Sequence, residues 1–249
     1  MARVLNISGY LFAPLDDLEA VRVRLHAAAE AGGVKGTVLL APEGINVFVA
    51  GARPAIEALT AEIRRIRGLE TFAAKESESE GQPFGRLRIK IKREIIAFGV
   101  AGIDPARRPA PRVAPATLKQ WLDEGRPVVL LDTRNDYEVA AGTFRGAVPA
   151  GIRHFRDFPR AVAALPESLK SARVVTFCTG GIRCEKAAPF LQAAGFQDVH
   201  QLDGGILKYF ETCGNAHYDG ACFVFDERGG VDSALKPTPV TDLSAQKAP

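Results

Sequence analysis

Val174-Val175-Thr176-Phe177-Cys178-Thr179-Gly180-Gly181-Ile182-Arg183 decides how the second half of this 249-residue chain folds. The first four residues are apolar or β-branched and predict a buried strand. Two glycines and an arginine then lead into a helix expected to begin near Glu185. A cysteine at the end of a buried strand, followed by glycines and a helix start, describes a cradle. Glycine lets the backbone curl so that successive N–H groups converge on the sulfur. The helix N-terminus adds positive potential, and Arg183 adds a full charge. All three favour a thiolate over a thiol, which makes Cys178 a candidate nucleophile. A small apolar residue at a strand end, with glycines serving an ordinary turn, accounts less well for this order of residues.

Around this loop the chain alternates strand and helix. Segments 117–123, 128–132, 136–141, 147–148, 155–164, 174–177, 184–194, 199–202 and 205–213 carry the pattern. Such alternation predicts a mainly parallel sheet covered by helices, with ligand sites at the carboxyl ends of strands. Asp132-Thr133-Arg134 follows one of those strands, then Glu138, then Gly142-Thr143-Phe144-Arg145-Gly146-Ala147. Gly195-Phe196 through Val199 and Leu202-Asp203-Gly204-Gly205-Ile206 close the region. These segments resemble the rhodanese family. That family has a six-residue loop opening with cysteine and closing with arginine, a D-x-R motif, and a G-H-x-x-G-A motif. Thr143 stands where the family usually has histidine. The expected site is Cys178 with Arg183 as catalytic residues and Thr179, Gly180, Gly181 and Ile182 as the substrate-binding loop. Arg183 either holds an anionic substrate group or fixes the loop. Asp132 and Arg134 are expected to pair or brace the loop, and Glu138 to order local backbone. Cys184 reads as a small helix-start residue more readily than as a resolving thiol. Cys213 and Cys222 are either packed thiols or a redox pair.

The first hundred residues follow a different pattern. A strand at 4–12 precedes a helix at 15–31 that stops at Gly32-Gly33. Strands at 37–41 and 45–50 flank Pro42-Glu43-Gly44, a helix spans 54–68, and strands are expected at 71–74 and 87–91. The order βαββαβ predicts a ferredoxin-like α+β sheet with both helices on one face. Arg86, Arg88, Lys90 and Lys92 alternate with Leu87, Ile89 and Ile91, so the cations share one strand face. A row of charges at ~7 Å intervals suits a phosphate backbone. It also suits the solvated, protected face of an edge strand.

Residues 35–46, 90–96 and 220–228, taken with the rhodanese segments, resemble the bacterial oxygen-dependent tRNA uridine hydroxylase family. One departure is Val47-Phe48, where the family usually reads Gly-Thr. The resemblance implies an acylphosphatase-like N-terminal domain ahead of a rhodanese domain. It also implies hydroxylation of the wobble uridine of tRNA to 5-hydroxyuridine, with molecular oxygen as co-substrate. On this reading residues 1–98 form an acylphosphatase-like, RNA-binding domain, and 99–115 a Pro-rich linker. Residues 116–228 form the rhodanese domain with a C-terminal strand, and 229–249 a loose tail. The alternative function is a rhodanese-type sulfurtransferase carrying a cysteine persulfide to an acceptor. A third reading is a binding module whose loop only captures anions.

Composition adds bounds. The net charge is +3 and the hydrophobic content 47%, ample for a packed core. No apolar run reaches the ~18 residues needed to span a bilayer, and no signal peptide is evident, so a cytoplasmic protein is expected. No cofactor is evident: there is no two-His-one-carboxylate pattern, no dinucleotide fingerprint and no C-x-x-C pair, and no metal site is expected. tRNA is the expected partner, and no membrane or obligate protein partner is evident.

Overall fold

The first strand, β1, runs from Val4 to Phe12, with Leu5 and Ile7 turned into a core. The computed structural model describes residues 3–226 and 228–240. It divides into two units, Met1–Ala97 and Phe98–Pro249. In the first unit β1 is followed by α1 (Leu18–Ala31), β2 (Lys35–Ala41), β3 (Gly44–Gly51), α2 (Arg53–Arg64), β4 (Lys75–Ser79) and β5 (Leu87–Ile91). The sheet order is β4-β1-β3-β2-β5, antiparallel except for the parallel pair β2 and β5. Val21, Leu25 and Ala29 of α1 and Ile56, Leu59 and Ile63 of α2 pack on Val38, Leu40, Ile45, Val47, Val49 and Ile89. Both helices therefore cover one sheet face, as the ferredoxin-like pattern requires.

The strand expected at 71–74 is not one. Phe72 there is a buried plug in a turn, and the edge strand is β4, the next five residues. Its sequence Lys-Glu-Ser-Glu-Ser has no apolar signal because both faces of this edge stay partly wet. β5 is then a fifth strand beyond the βαββαβ frame. It turns Leu87, Ile89 and Ile91 to the core and leaves Arg86, Arg88, Lys90 and Lys92 exposed. The turn before β3 is tied down from both sides. Glu43 Oε1 accepts the Ile95 N–H at 2.8 Å, and Asn46 Nδ2 donates to the Ile95 carbonyl at 3.2 Å.

The second unit runs through β6 (Arg112–Val113), α3 (Pro115–Asp123), β7 (Val129–Asp132), α4 (Asp136–Ala141), β8 (Gly142–Phe144) and β9 (Val148–Pro149). It continues with α5 (Phe158–Val162), β10 (Arg173–Phe177), α6 (Ile182–Ala193), β11 (Asp198–Leu202) and α7 (Gly205–Cys213). It ends with the short strands β12 (Tyr218–Gly220), β13 (Cys222–Phe223) and β14 (Gly230–Val231). The main sheet has the order β6-β11-β10-β7-β9 and is parallel throughout. β10 lies at its centre, where it is buried on both faces, which explains its unbroken apolar run. Phe98 stacks on Phe155 at 5.0 Å and meets Phe190 edge-on at 5.5 Å, anchoring the start of the unit.

Three expected boundaries shift. The Pro-rich stretch 99–115 is part of the second unit: Ala110 is buried and Arg112–Val113 is an edge strand on β11. Pro115 opens α3, where a missing N–H costs nothing. Helix α6 starts at Ile182, ahead of the expected Glu185, because Gly181 takes a left-handed conformation at φ 103°. The segment read as a loose tail from 229 begins with order. β14 pairs with β13, Val231 is buried, and Thr238 N–H donates to Gly230 at 3.0 Å. Residues 241–249 lie outside the described residues. Among the described residues no helix is long and apolar enough to cross a membrane.

Candidate functional site

Cys178 follows the last residue of the central strand, and its loop is held from three directions. Gly181 N–H donates to Cys178 Sγ at 3.1 Å, the inward-pointing amide that the glycines were expected to allow. The first turn of α7 holds the loop from behind: Ile206 N–H donates to the Cys178 carbonyl at 3.0 Å and Leu207 N–H to that of Thr179 at 3.1 Å. Gly205 makes this approach possible. Its φ is +65°, and a Cβ there would lie 2.4 Å from the Cys178 oxygen. Gly180 is the open rim of the loop, with nothing within 4 Å of where its Cβ would be.

The third direction is a buried ion pair. Arg183 Nη1 donates to Glu138 Oε2 at 2.6 Å and Nη2 to Oε1 at 2.7 Å. Glu138 is fully buried and also accepts the Asn135 N–H at 3.1 Å and the Thr179 hydroxyl at 3.4 Å. Of the two roles open to Arg183, the geometry is that of a loop fastener: both terminal nitrogens are engaged by one carboxylate. Glu138 does order local backbone, through the cap of α4, but its larger task of holding Arg183 was missed. The Asn135–Glu138 spacing of a capping box signals only the backbone role.

A second buried pair braces the adjacent strand end. Arg134 Nε donates to Asp132 Oδ1 at 2.9 Å and Nη2 to Oδ2 at 2.6 Å, with both residues fully buried. Arg134 Nη2 also reaches the Gly142 carbonyl at 2.6 Å. Thr143, which replaces the usual histidine, donates its hydroxyl to Asp132 Oδ2 at 2.8 Å. The basic residues Arg86, Arg88, Lys90 and Lys92 belong to the first unit, whereas Cys178, Thr179, Gly180, Gly181, Ile182, Arg183, Cys184, Asp132 and Arg134 are gathered in the second. Among the described residues no group of three or more His, Cys, Asp or Glu side chains is placed to hold a metal ion.

Comparison with known proteins agrees with both halves of this architecture. Residues 4–95 match the UPF0176 acylphosphatase like domain, and residues 114–212 match the rhodanese-like domain. A tRNA uridine(34) hydroxylase of Cupriavidus taiwanensis is 52% identical over 240 residues, covering 94% of this chain and 85% of that protein. The tRNA uridine(34) hydroxylase of Bordetella petrii is 53% identical over 242 residues, covering 95% of this chain and 96% of the relative. That of Thiobacillus denitrificans is 51% identical over 239 residues, with 94% and 96% covered. The chain belongs to the tRNA uridine(34) hydroxylase family.

In this member of the family the electrostatics single out one thiol of four. Burial pushes the Cys178 thiol up. A hydrogen bond from Cys184, the Arg183 charge and the N–H groups of Arg183 and Gly181 outweigh it and bring the value down to about 6. Cys184 moves the opposite way, raised by burial and by the hydrogen bond and charge of Cys178, so it stays a thiol and donates. Thr133 holds it in place: its hydroxyl donates to the Phe177 carbonyl at 3.0 Å and lies 3.8 Å from Cys184 Sγ. Cys184 is thus more than a small helix-start residue. Burial raises Cys213, and burial pushes Cys222 up to about 12; both are free thiols.

Because the folded Cys178 ionises near 6 and not near its ordinary 9, its ionisation stabilises the fold at alkaline pH. That contribution fades as pH falls from 9 to 6. The thiolate absorbance at 240 nm, taken as wild type minus Cys178→Ser, is expected to titrate with a midpoint near 6. A midpoint at the ordinary value near 9 would contradict this account of the cradle.

Proposed function

We propose that this protein hydroxylates uridine 34 of tRNA at C5, with Cys178 as the nucleophile. The observation that carries the reading is Cys178 at the carboxyl end of the central strand, its sulfur accepting the Gly181 amide at 3.1 Å, in a chain of this family. Uracil is an electron-poor ring with an electrophilic C6. Attack there by the Cys178 thiolate forms an S–C6 bond and moves the C5=C6 electrons to C5 as an enolate. The enolate takes an oxygen atom derived from O2, C5 loses its proton, and the C6–S bond breaks to return the thiolate. The overall balance is uridine, O2, two electrons and two protons giving 5-hydroxyuridine and water, with the electrons supplied by a reductant outside this chain. Arg183 and the amides of the loop keep the sulfur ionised at each turnover. Thr179, Gly180, Gly181 and Ile182 form the wall the uracil ring meets, with Gly180 as its open rim. Cys184 donates to the thiolate, and Asp132 with Arg134 keeps the strand end in place.

The basic row of β5 is assigned to the RNA backbone. Arg88 and Lys90 lie along the edge strand β5, and Lys90 and Lys92 line a groove together with Arg22 and Glu19, which pair with each other at 2.7 Å. A tRNA substrate supports a cytoplasmic location, and the reading invokes neither a membrane nor an obligate protein partner. The sulfurtransferase alternative rests on one observation: an amide aimed at Cys178 Sγ stabilises a persulfide as readily as a thiolate.

Nucleoside mass spectrometry of tRNA from cells lacking this gene is expected to show loss of 5-hydroxyuridine derivatives, restored by wild type and not by Cys178→Ala. Unchanged 5-hydroxyuridine with altered thiolated nucleosides would favour the sulfurtransferase instead. The triple variant Arg88→Gln, Lys90→Gln, Lys92→Gln is expected to weaken tRNA binding. The slope of log K against log salt should become shallower by about 0.7–0.9 for each phosphate that the variant no longer neutralises. An unchanged slope would assign the row to edge protection.

A further inference from the structure

Two large apolar side chains among the described residues stand out in water, Val23 on α1 and Phe225. Phe225, 51% exposed, lies at the Cys178 loop. Its ring centroid is 5.9 Å from the Arg183 guanidinium carbon. Its ring is T-shaped to that of Phe223 at 5.2 Å, and Phe223 is T-shaped to Tyr137 at 5.3 Å. The Phe223 carbonyl accepts the Thr179 hydroxyl at 3.4 Å, so this aromatic ladder is tied to the loop itself. Cys222–Phe223 pairs with Gly230–Val231, which gives the ladder a hydrogen-bonded footing.

A ring packed on one aromatic that is itself braced by a second, with half its surface in water, loses little more freedom when something settles on it. Its exposure leaves apolar area unburied that the fold does not use. RNA bases outside a helix are recognised chiefly by stacking on such rings, and every base presents a π-face. Catalysis on a base also requires that it leave its stack, so a replacement surface beside the nucleophile lowers the cost of extrusion. We propose that Phe225 is a stacking platform for a nucleobase of the single-stranded anticodon loop, positioning the substrate at the mouth of the Cys178 loop. This rests on the tRNA reading above.

The test uses an anticodon stem-loop RNA with uridine at position 34 and the full-length protein. Phe225→Ala is expected to weaken binding by roughly 5- to 150-fold, the range of one base–aromatic stack. Phe225→Tyr should restore it and Phe225→Leu should not, because leucine keeps the apolar contact without the π-face. The thiolate absorbance of Cys178 should stay at its wild-type midpoint in all three, which separates stacking from damage to the loop. As a second readout, Phe225→Trp in a Trp121→Phe background places the only indole of the chain at this position. Its fluorescence should be quenched by the stem-loop. Wild-type affinity in Phe225→Ala, or equal affinity in Phe225→Leu and wild type, would overturn the inference while leaving the hydroxylase reading intact. A wild-type protein that neither binds nor hydroxylates the stem-loop would overturn both.

Discussion

A guanidinium and a carboxylate, both taken out of water, set the conditions for everything else at this site. Arg183 and Glu138 meet through two short hydrogen bonds across 45 residues of chain. Burying either charge alone would cost several kcal/mol, so the pair holds only in one geometry. That geometry fastens the first turn of α6 to α4 and fixes the loop between Cys178 and Arg183. The cation is then close enough to favour a negative sulfur, while its own charge is balanced by Glu138. The loop thus gains a thiolate without presenting a free cation to compete for phosphates.

Around this pair the other constraints fall into order. Gly181 and Gly205 supply backbone conformations and close approaches that a side chain would block. The parallel sheet delivers Cys178 from its central strand, and the Asp132–Arg134 pair fixes the end of the neighbouring one. Cys184 completes the arrangement. Held by Thr133 behind the loop, it keeps its proton and gives a hydrogen bond to its partner, so two cysteines six residues apart behave as donor and anion.

The sequence shows much of this, and where it falls short the reasons are physical. The run Val174–Phe177 with Cys178, the glycines and Arg183 announces strand, loop and the amide on the sulfur because local chemistry dictates each. The alternation of Arg86–Lys92 announces its two faces for the same reason. Edge strand β4 was hidden because a strand with both faces partly wet needs no apolar residues. β6 was hidden among prolines because a two-residue edge strand carries no periodicity. The union of Glu138 with Arg183 lies beyond any local pattern, since it depends on α4 and α6 coming together in space. Phe223 and Phe225 were visible as a motif, but their contact with Thr179 and Arg183 is a matter of tertiary structure.

The measurement that bears most directly on the central claim is the single-turnover rate of 5-hydroxyuridine formation by purified protein supplied with O2 and a two-electron reductant, across pH, for wild type and Cys178→Ser. The account predicts that the wild-type rate falls as pH drops through about 6, in step with protonation of Cys178, and that Cys178→Ser forms no product. Hydroxylation by Cys178→Ser at the wild-type rate would contradict it.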